Sequence, residues 1–231
     1  MPNLNSLFSK YDRLVIFDTE TTGLQYARDE IIEFAAIVVE RIDGVPTVLR
    51  DYDELVKLSP GGFVPQEIQN LTGITDLQLL TEGVEQEAAV EAFCRLLEGA
   101  ERPLLVAYNA QFDLNFLYYF LQPYGRVSVL RAPHFLDALT VYKDRASYPH
   151  KLLNAIDHYG LTGKVVNSHR AVDDVIATVA VMEEMEKEKD DLLNYVNLFG
   201  YNPKYGIEGK AIGSVTYKPQ PYNPKGALYE V

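Results

Sequence analysis

The chain is poor in residues that build covalent or thiolate scaffolds. It has 231 residues, one cysteine (Cys94) and no tryptophan. A single thiol closes no internal disulfide and builds no cysteine-based zinc site, and it fits a reducing cytoplasm. Such a thiol on a helix packs as a small apolar group. No apolar run reaches the roughly 20 residues that cross a bilayer. The opening MPNLNSLFSKYDR lacks the apolar segment of a signal peptide. A cytoplasmic protein without a membrane role is expected. Positive charge is scarce as well: 21 Lys and Arg face 33 Asp and Glu, for a formal charge of −12. That balance excludes a generally basic nucleic-acid binder. Residues 126–170 depart from it, with seven Lys and Arg against three acids, an excess of four positive charges. A local phosphate-facing patch and a scattering of solvated charges both fit that count.

Hydrophobic residues make up 47% of the chain, enough for a sizeable core. Residues 13–17 (RLVIF) read as a buried strand and residues 30–39 as a second. A third is expected over 48–58, after Asp43-Gly44, so the chain opens as an antiparallel meander. Short helices are expected over 65–71 and 76–80, and a longer one over 84–97. A strand at 104–107 leads to a helix over 110–121. A strand near 134–136 precedes helices at 138–143 and 151–159. Residues 171–189 carry apolar positions at helical spacing. Strands first, then strand–helix alternation, indicate an α/β class with a mixed central sheet flanked by helices.

The character changes after Leu192. The last 40 residues hold six tyrosines, four prolines and five glycines, and Tyr-Asn-Pro-Lys occurs twice, from Tyr201 and from Tyr222. We therefore divide the chain into a main domain, 1–191, and an irregular Tyr/Pro-rich C-terminal extension, 192–231. That much aromatic surface invites association. The extension is expected to fold on the main domain or against a second copy as a homodimer. A docking segment for a partner is the alternative.

Acids in apolar surroundings carry the chemistry. Asp18 and Glu20 (FDTETTG) stand two apart at a strand end, so alternation places both on one face. Two adjacent carboxylates repel when ionised, and hard divalent cations remove that repulsion. A surface turn is the alternative for this segment alone. Asp113 (YNAQFDLNF) falls in the first turn of an apolar helix, where it could also serve the helix N-terminus, with Asn109 as the cap. His169 and Asp174 (HRAVDD) precede and open the long helix, with Asn167 or Ser168 as its cap. Asp173 and Asp174 differ by roughly 100° about a helix axis, so one of them faces the site.

FDTETTG, YNAQFD and HRAVDD, in that order, resemble the three motifs of the DEDDh exonuclease superfamily, the group of the epsilon proofreading subunit of bacterial DNA polymerase III. PQEIQNLTGIT resembles the segment between the first two motifs, so the likeness spans residues 13–185. Tyr108 departs from it, standing where relatives often have histidine. The resemblance implies a ribonuclease H-like fold and a 3′–5′ exonuclease acting by a two-metal mechanism. Asp18, Glu20, Asp113 and Asp174 would hold two Mg²⁺ or Mn²⁺ ions, with His169 as general base. The spacing of histidine to the last acid selects Asp174 over Asp173. Thr21, Thr22, Leu24, Asn109, Phe112 and Arg170 would contact the substrate, although core packing also accounts for Phe112. The implied substrate is the 3′ end of single-stranded DNA, with nucleoside 5′-monophosphates as products, and a DNA polymerase subunit is an implied partner. An exoribonuclease of the same superfamily, or a catalytically silent polymerase- or nucleic-acid-binding module, are the other readings.

Overall fold

Nine residues, Arg13–Thr21, form β1, the central strand of a five-stranded sheet in a computed structural model that describes residues 4–207 and 212–231. β2 (Ile31–Ile42) runs antiparallel to β1, and β3 (Val45–Leu55) antiparallel to β2. Asp43 and Gly44 join them with φ of 51° and 83°, a two-residue hairpin whose twist matches the flanking strands. β3 consequently starts at Val45, ahead of the expected residue 48, and Ile42 pairs with Val45. It is an edge strand, which is why Pro46 is tolerated within it.

α1 (Gln66–Thr72) and α2 (Asp76–Glu82) are separated at Gly73, whose φ of 75° ends the first. α3 (Gln86–Leu97) starts two residues later than its periodicity suggests, because Val84 bridges to Val56. β4 (Pro103–Ala107) lies parallel to β1 on its other side and leads into α4 (Ala110–Leu121). β5 (His134–Asp137) completes the order β3-β2-β1-β4-β5 and runs parallel to β4. α5 (Ala138–Arg145), α6 (Leu152–His158) and α7 (Ala171–Glu188) follow. The pleat of β1 divides the core. Leu14 and Ile16 pack with α5, α6 and α7 on one face, whereas Val15 and Phe17 pack with α3 and α4 on the other. The result is the expected α/β architecture, a mixed sheet between two helical layers.

The described residues of the segment 192–231 pack against the rest of the chain. β6 (Leu198–Tyr201) and β7 (Thr216–Pro219) form a parallel pair that local periodicity does not announce, since its partners are distant in sequence. Asn197 docks this pair on β5: its amide donates to Phe135 O at 2.7 Å and its Oδ1 accepts from Phe135 N at 2.8 Å. Gln220 is buried and donates to Thr140 O at 2.8 Å and Asp144 Oδ1 at 2.6 Å. A Cβ on Gly200 would collide with the Gln220 side chain, so this approach requires glycine. Tyr195, Phe199 and Leu228 lie within the two main core clusters. Each such side chain contributes about 1.5–3 kcal/mol by burial. Ending the chain at Asp191 is therefore expected to lower the melting temperature by more than about 10 °C. An unchanged circular-dichroism melt would show that the segment adds nothing to the core.

Candidate active site

The alternation that sends Leu14 and Ile16 toward α7 continues through Asp18 and Glu20, which are partly buried at the end of β1. Thr19 points to the opposite face and is buried. Its amide and hydroxyl both donate to Asp113 Oδ1, at 3.1 and 2.7 Å. These bonds fix the Asp113 carboxylate, 2% exposed, against the strand that carries the first two acids. α4 can present it there because β4 lies parallel beside β1.

A second acid on β2 organises the third motif. Glu33 is cross-strand partner to Glu20, so the two share a face. Glu33 is 0% exposed, and its carboxylate accepts from Arg170 Nε at 2.8 Å and from Ala171 N at 2.8 Å. The expected side-chain cap from Asn167 or Ser168 is absent, because Glu33 supplies the anion at the start of α7 instead. Asn167 Nδ2 donates to Asp174 Oδ1 at 2.7 Å, and Ser168 Oγ donates to Asp173. His169 sits between these anchors with φ of 57°. That backbone region costs a non-glycine residue about 1–2 kcal/mol, and the bonds on either side hold it. The imidazole is exposed, and His169, Glu20 and Asp174 each offer a ligand atom within 4.8 Å of the others.

Packing so many carboxylates together changes their protonation. Burial, then the fields of Asp113, Asp174, Glu20 and Glu33, raise Asp18 well above the usual carboxylate range. Burial, reinforced by Asp174, Glu33 and Asp113 and opposed by Arg170, pushes Glu20 up to about 8. Asp113 is raised by burial against the hydrogen bonds from Thr19. Asp174 is raised to about 6 by burial, against the Asn167 hydrogen bond and the charge of His169. Such a cluster is a site for positive charge.

The family model RNase_T, Exonuclease, matches residues 15–182. The chain belongs to this exonuclease family. The chain is 32% identical over 198 residues to a Clostridium perfringens DNA polymerase III of PolC type, covering 84% of this chain and 12% of that protein. It is also 32% identical over 163 residues to the Treponema pallidum DNA polymerase III subunit epsilon, covering 68% and 69% of the two chains. The chain thus spans about an eighth of the PolC-type relatives. Its fold is that of E. coli Exonuclease I in complex with a dA16 oligonucleotide: TM-score 0.66 at 19% identity, over 80% of this chain and 42% of that one. Cell-death related nuclease 4 gives a TM-score of 0.63 at 18% identity, over 78% and 65%. The fold is ribonuclease H-like. Among the described residues no helix is long and apolar enough to cross a membrane.

Of the six residues expected to contact substrate, Arg170 is paired with Glu33, and the other five separate into two groups. Leu24, Asn109 and Phe112 line one cavity of about 300 Å³. Thr21 and Thr22 instead secure the turn after β1: Thr21 Oγ1 donates to Gly23 O at 2.6 Å, and Thr22 Oγ1 accepts from Glu30 N at 2.9 Å. Asn109 occupies the cap position of α4 at φ 68° without a side-chain bond. Asp137 Oδ1 takes its amide at 2.9 Å and that of Ala110 at 3.0 Å, so the cap is a carboxylate from β5. Arg145, a candidate cation of the positive stretch, is ion-paired with Asp191 in a buried pair and cannot face a groove. Lys143, from the same stretch, lines the cavity. Neither this cavity nor a larger one of about 380 Å³, by Tyr26, Glu30 and Phe116, is lined by the acids named for the metals.

Glu33 was absent from the motif reading, and Thr19 and Asn167 entered it without their roles of holding Asp113 and Asp174. An acid inside the apolar run EIIEFAAIVV signals Glu33, because a carboxylate there must find a partner. Thr19 and Asn167 carry no such signal. Arg170→Met is expected to cost about 2 kcal/mol, since it leaves the buried Glu33 carboxylate with the Ala171 amide in place of a charged partner. Urea unfolding measures this, and a cost below about 1 kcal/mol would make the pair incidental.

Proposed function

We propose that the chain is a divalent-metal-dependent 3′–5′ exonuclease that removes nucleoside 5′-monophosphates from the 3′ end of single-stranded DNA, in proofreading or repair. The observation that carries this reading is the meeting of Glu20 of β1 and Asp174 of α7 with the exposed His169, in an electrostatic cluster that also takes in Asp18 and Asp113. The donor set fits a hard cation: carboxylates whose ionisation is opposed by burial and by one another until positive charge arrives, with an imidazole beside them. Asp18, Glu20, Asp113 and Asp174 would hold two ions, Mg²⁺ or Mn²⁺. Bound there, the ions supply Lewis acidity at the phosphodiester and at the departing 3′ oxygen.

The chain's own residues set the geometry. Thr19 orients Asp113, Asn167 orients Asp174, and Glu33 fixes the loop from which His169 projects. The His169 imidazole nitrogen accepts the proton of the attacking water. Leu24, Asn109 and Phe112 form the wall against the terminal nucleotide. Exonuclease I binds oligodeoxynucleotides in its complexes, and that likeness supports DNA as the polymer. The likeness to polymerase III proteins supports a polymerase as partner, in a cytoplasmic setting.

A time course on 3′-labelled single-stranded DNA and matched RNA, with Mg²⁺, Mn²⁺ or chelator, tests the proposal. Stepwise release of nucleotides from DNA, abolished by chelation, is expected. Faster release from RNA would make the chain an exoribonuclease, and no release from either would favour a silent binding module.

A further inference from the structure

The cavity beside the first turn of α4 has a second set of walls. Besides Leu24, Asn109 and Phe112, its lining includes Tyr201 and Tyr205 from the C-terminal extension and Lys143 from α5. Leu24 lies four residues after Glu20 and Phe112 directly precedes Asp113, so this wall comes from the acid-bearing segments. Lys143 and the tyrosines come from elements that carry no acid of the site.

Lys143 is only 6% exposed. Its two acidic neighbours are already engaged. Asp137 accepts from Asn109, Ala110, Leu139 and Thr140, and Asp144 accepts from Tyr195, Gln220 and Leu228. Among the described residues its ammonium has no ion pair, and its contact is the Tyr222 ring at 5.5 Å. The cost of desolvating it, opposed by the fields of Asp137 and Asp144, holds its pKa below the usual lysine value. An anionic group entering the cavity would offset that cost.

Tyr205 supplies the other half. It is 67% exposed. Asn202 shapes its loop, with Oδ1 accepting from Lys204 N at 2.9 Å and O accepting from Tyr205 N at 3.0 Å. The Lys204 ammonium lies over the Tyr205 ring at 5.4 Å. Exposed rings interleaved with cations are how proteins hold single-stranded nucleic acid, bases on the rings and phosphates on the cations.

We infer that Lys143, Tyr201 and Tyr205 form a subsite for the phosphate and base of the nucleotide preceding the 3′-terminal one, so that the extension is part of the substrate groove. This rests on the exonuclease reading above. Two variants of the full chain test it. Lys143→Met keeps the packing of the lysine stem, and Tyr205→Ala alters an exposed side chain that folding does not require. Two substrates are compared: a dT oligonucleotide and the p-nitrophenyl ester of thymidine 5′-monophosphate, which has no preceding nucleotide. In both variants the ratio of kcat/KM for oligonucleotide to that for ester should fall about tenfold, the scale of one stacked base. Lys143→Met should also reduce the logarithmic salt slope of oligonucleotide binding by about 0.7, one single-strand phosphate, and Tyr205→Ala should leave that slope unchanged. An unchanged ratio, or equal losses on both substrates, would overturn the subsite. Anisotropy of a fluorescent dT oligonucleotide makes the same comparison without turnover. If the unaltered chain cleaves neither substrate, the exonuclease reading fails separately, and the binding data still decide the subsite.

Discussion

Asp18→Asn is expected to lower release of nucleotides from a 3′ end by at least about 10²–10³-fold, the loss that follows removal of one transition-state-stabilising group. The same change should stabilise the metal-free protein at alkaline pH. Asp18 stands in the field of Asp113, Asp174, Glu20 and Glu33, and all four metal-site acids have raised pKa values. A carboxyl raised from 4.5 to about 8, as at Glu20, keeps its proton in the folded chain where the unfolded chain has lost it. The folded state then binds more protons between about pH 4 and 8, so stability falls as pH climbs through that window. Metal-free protein should melt lower at pH 8 than at pH 6, and saturating Mg²⁺ or Mn²⁺ should remove the difference. Asp18→Asn should raise the metal-free melting temperature at pH 8 by about 3 °C or more. Calorimetry with and without chelator reads both effects. A metal-free melting temperature that rises from pH 6 to pH 8 would contradict the crowding of these acids.

His169→Ala should reduce kcat by about 10²–10⁴-fold, the range for loss of a positioned general base. Binding of single-stranded DNA and of metal should change little, because the imidazole is exposed and the loop is held by Glu33, Asn167 and Ser168. Single-turnover kinetics separate the two quantities. His150 provides the control: it is buried, with Nε2 at 2.8 Å from Ala146 O and its ring against Tyr142 and Tyr222. His150→Ala should therefore lower stability with a smaller effect on kcat. The reverse ranking would move the base away from His169.

Much of this arrangement was legible in one dimension because the signals are local. The α4 span, Ala110–Leu121, follows from an apolar helical run closed by Gln122-Pro123, and α7 is set by its periodicity. The pairing of Asp18 with Glu20 on one face follows from strand alternation alone. The start of β3 was misplaced because the hairpin turn takes only two residues, which composition does not reveal. Asn109 stands at the cap position of α4 as expected but makes no side-chain cap bond, and the cap position of α7 falls to Arg170 instead of Asn167 or Ser168. Neighbouring Asn and Ser residues suit capping by sequence, but buried carboxylates on other strands, Asp137 and Glu33, reach the same amides.

The sequence by itself determined the chemistry available: which acids interrupt apolar segments, their order, and the histidine five positions before the last of them. Tertiary structure decided which side chains meet. The Glu20–Glu33 register, the parallel placement of β4 that brings Asp113 to Thr19, and the seating of Gly200 and Gln220 against α5 are all long-range contacts. The same holds for Arg170, whose guanidinium turns to Glu33, and for Arg145, drawn into a buried pair with Asp191. A carboxylate's nearest donors depend on strands distant along the chain, and local pattern carries no record of that distance.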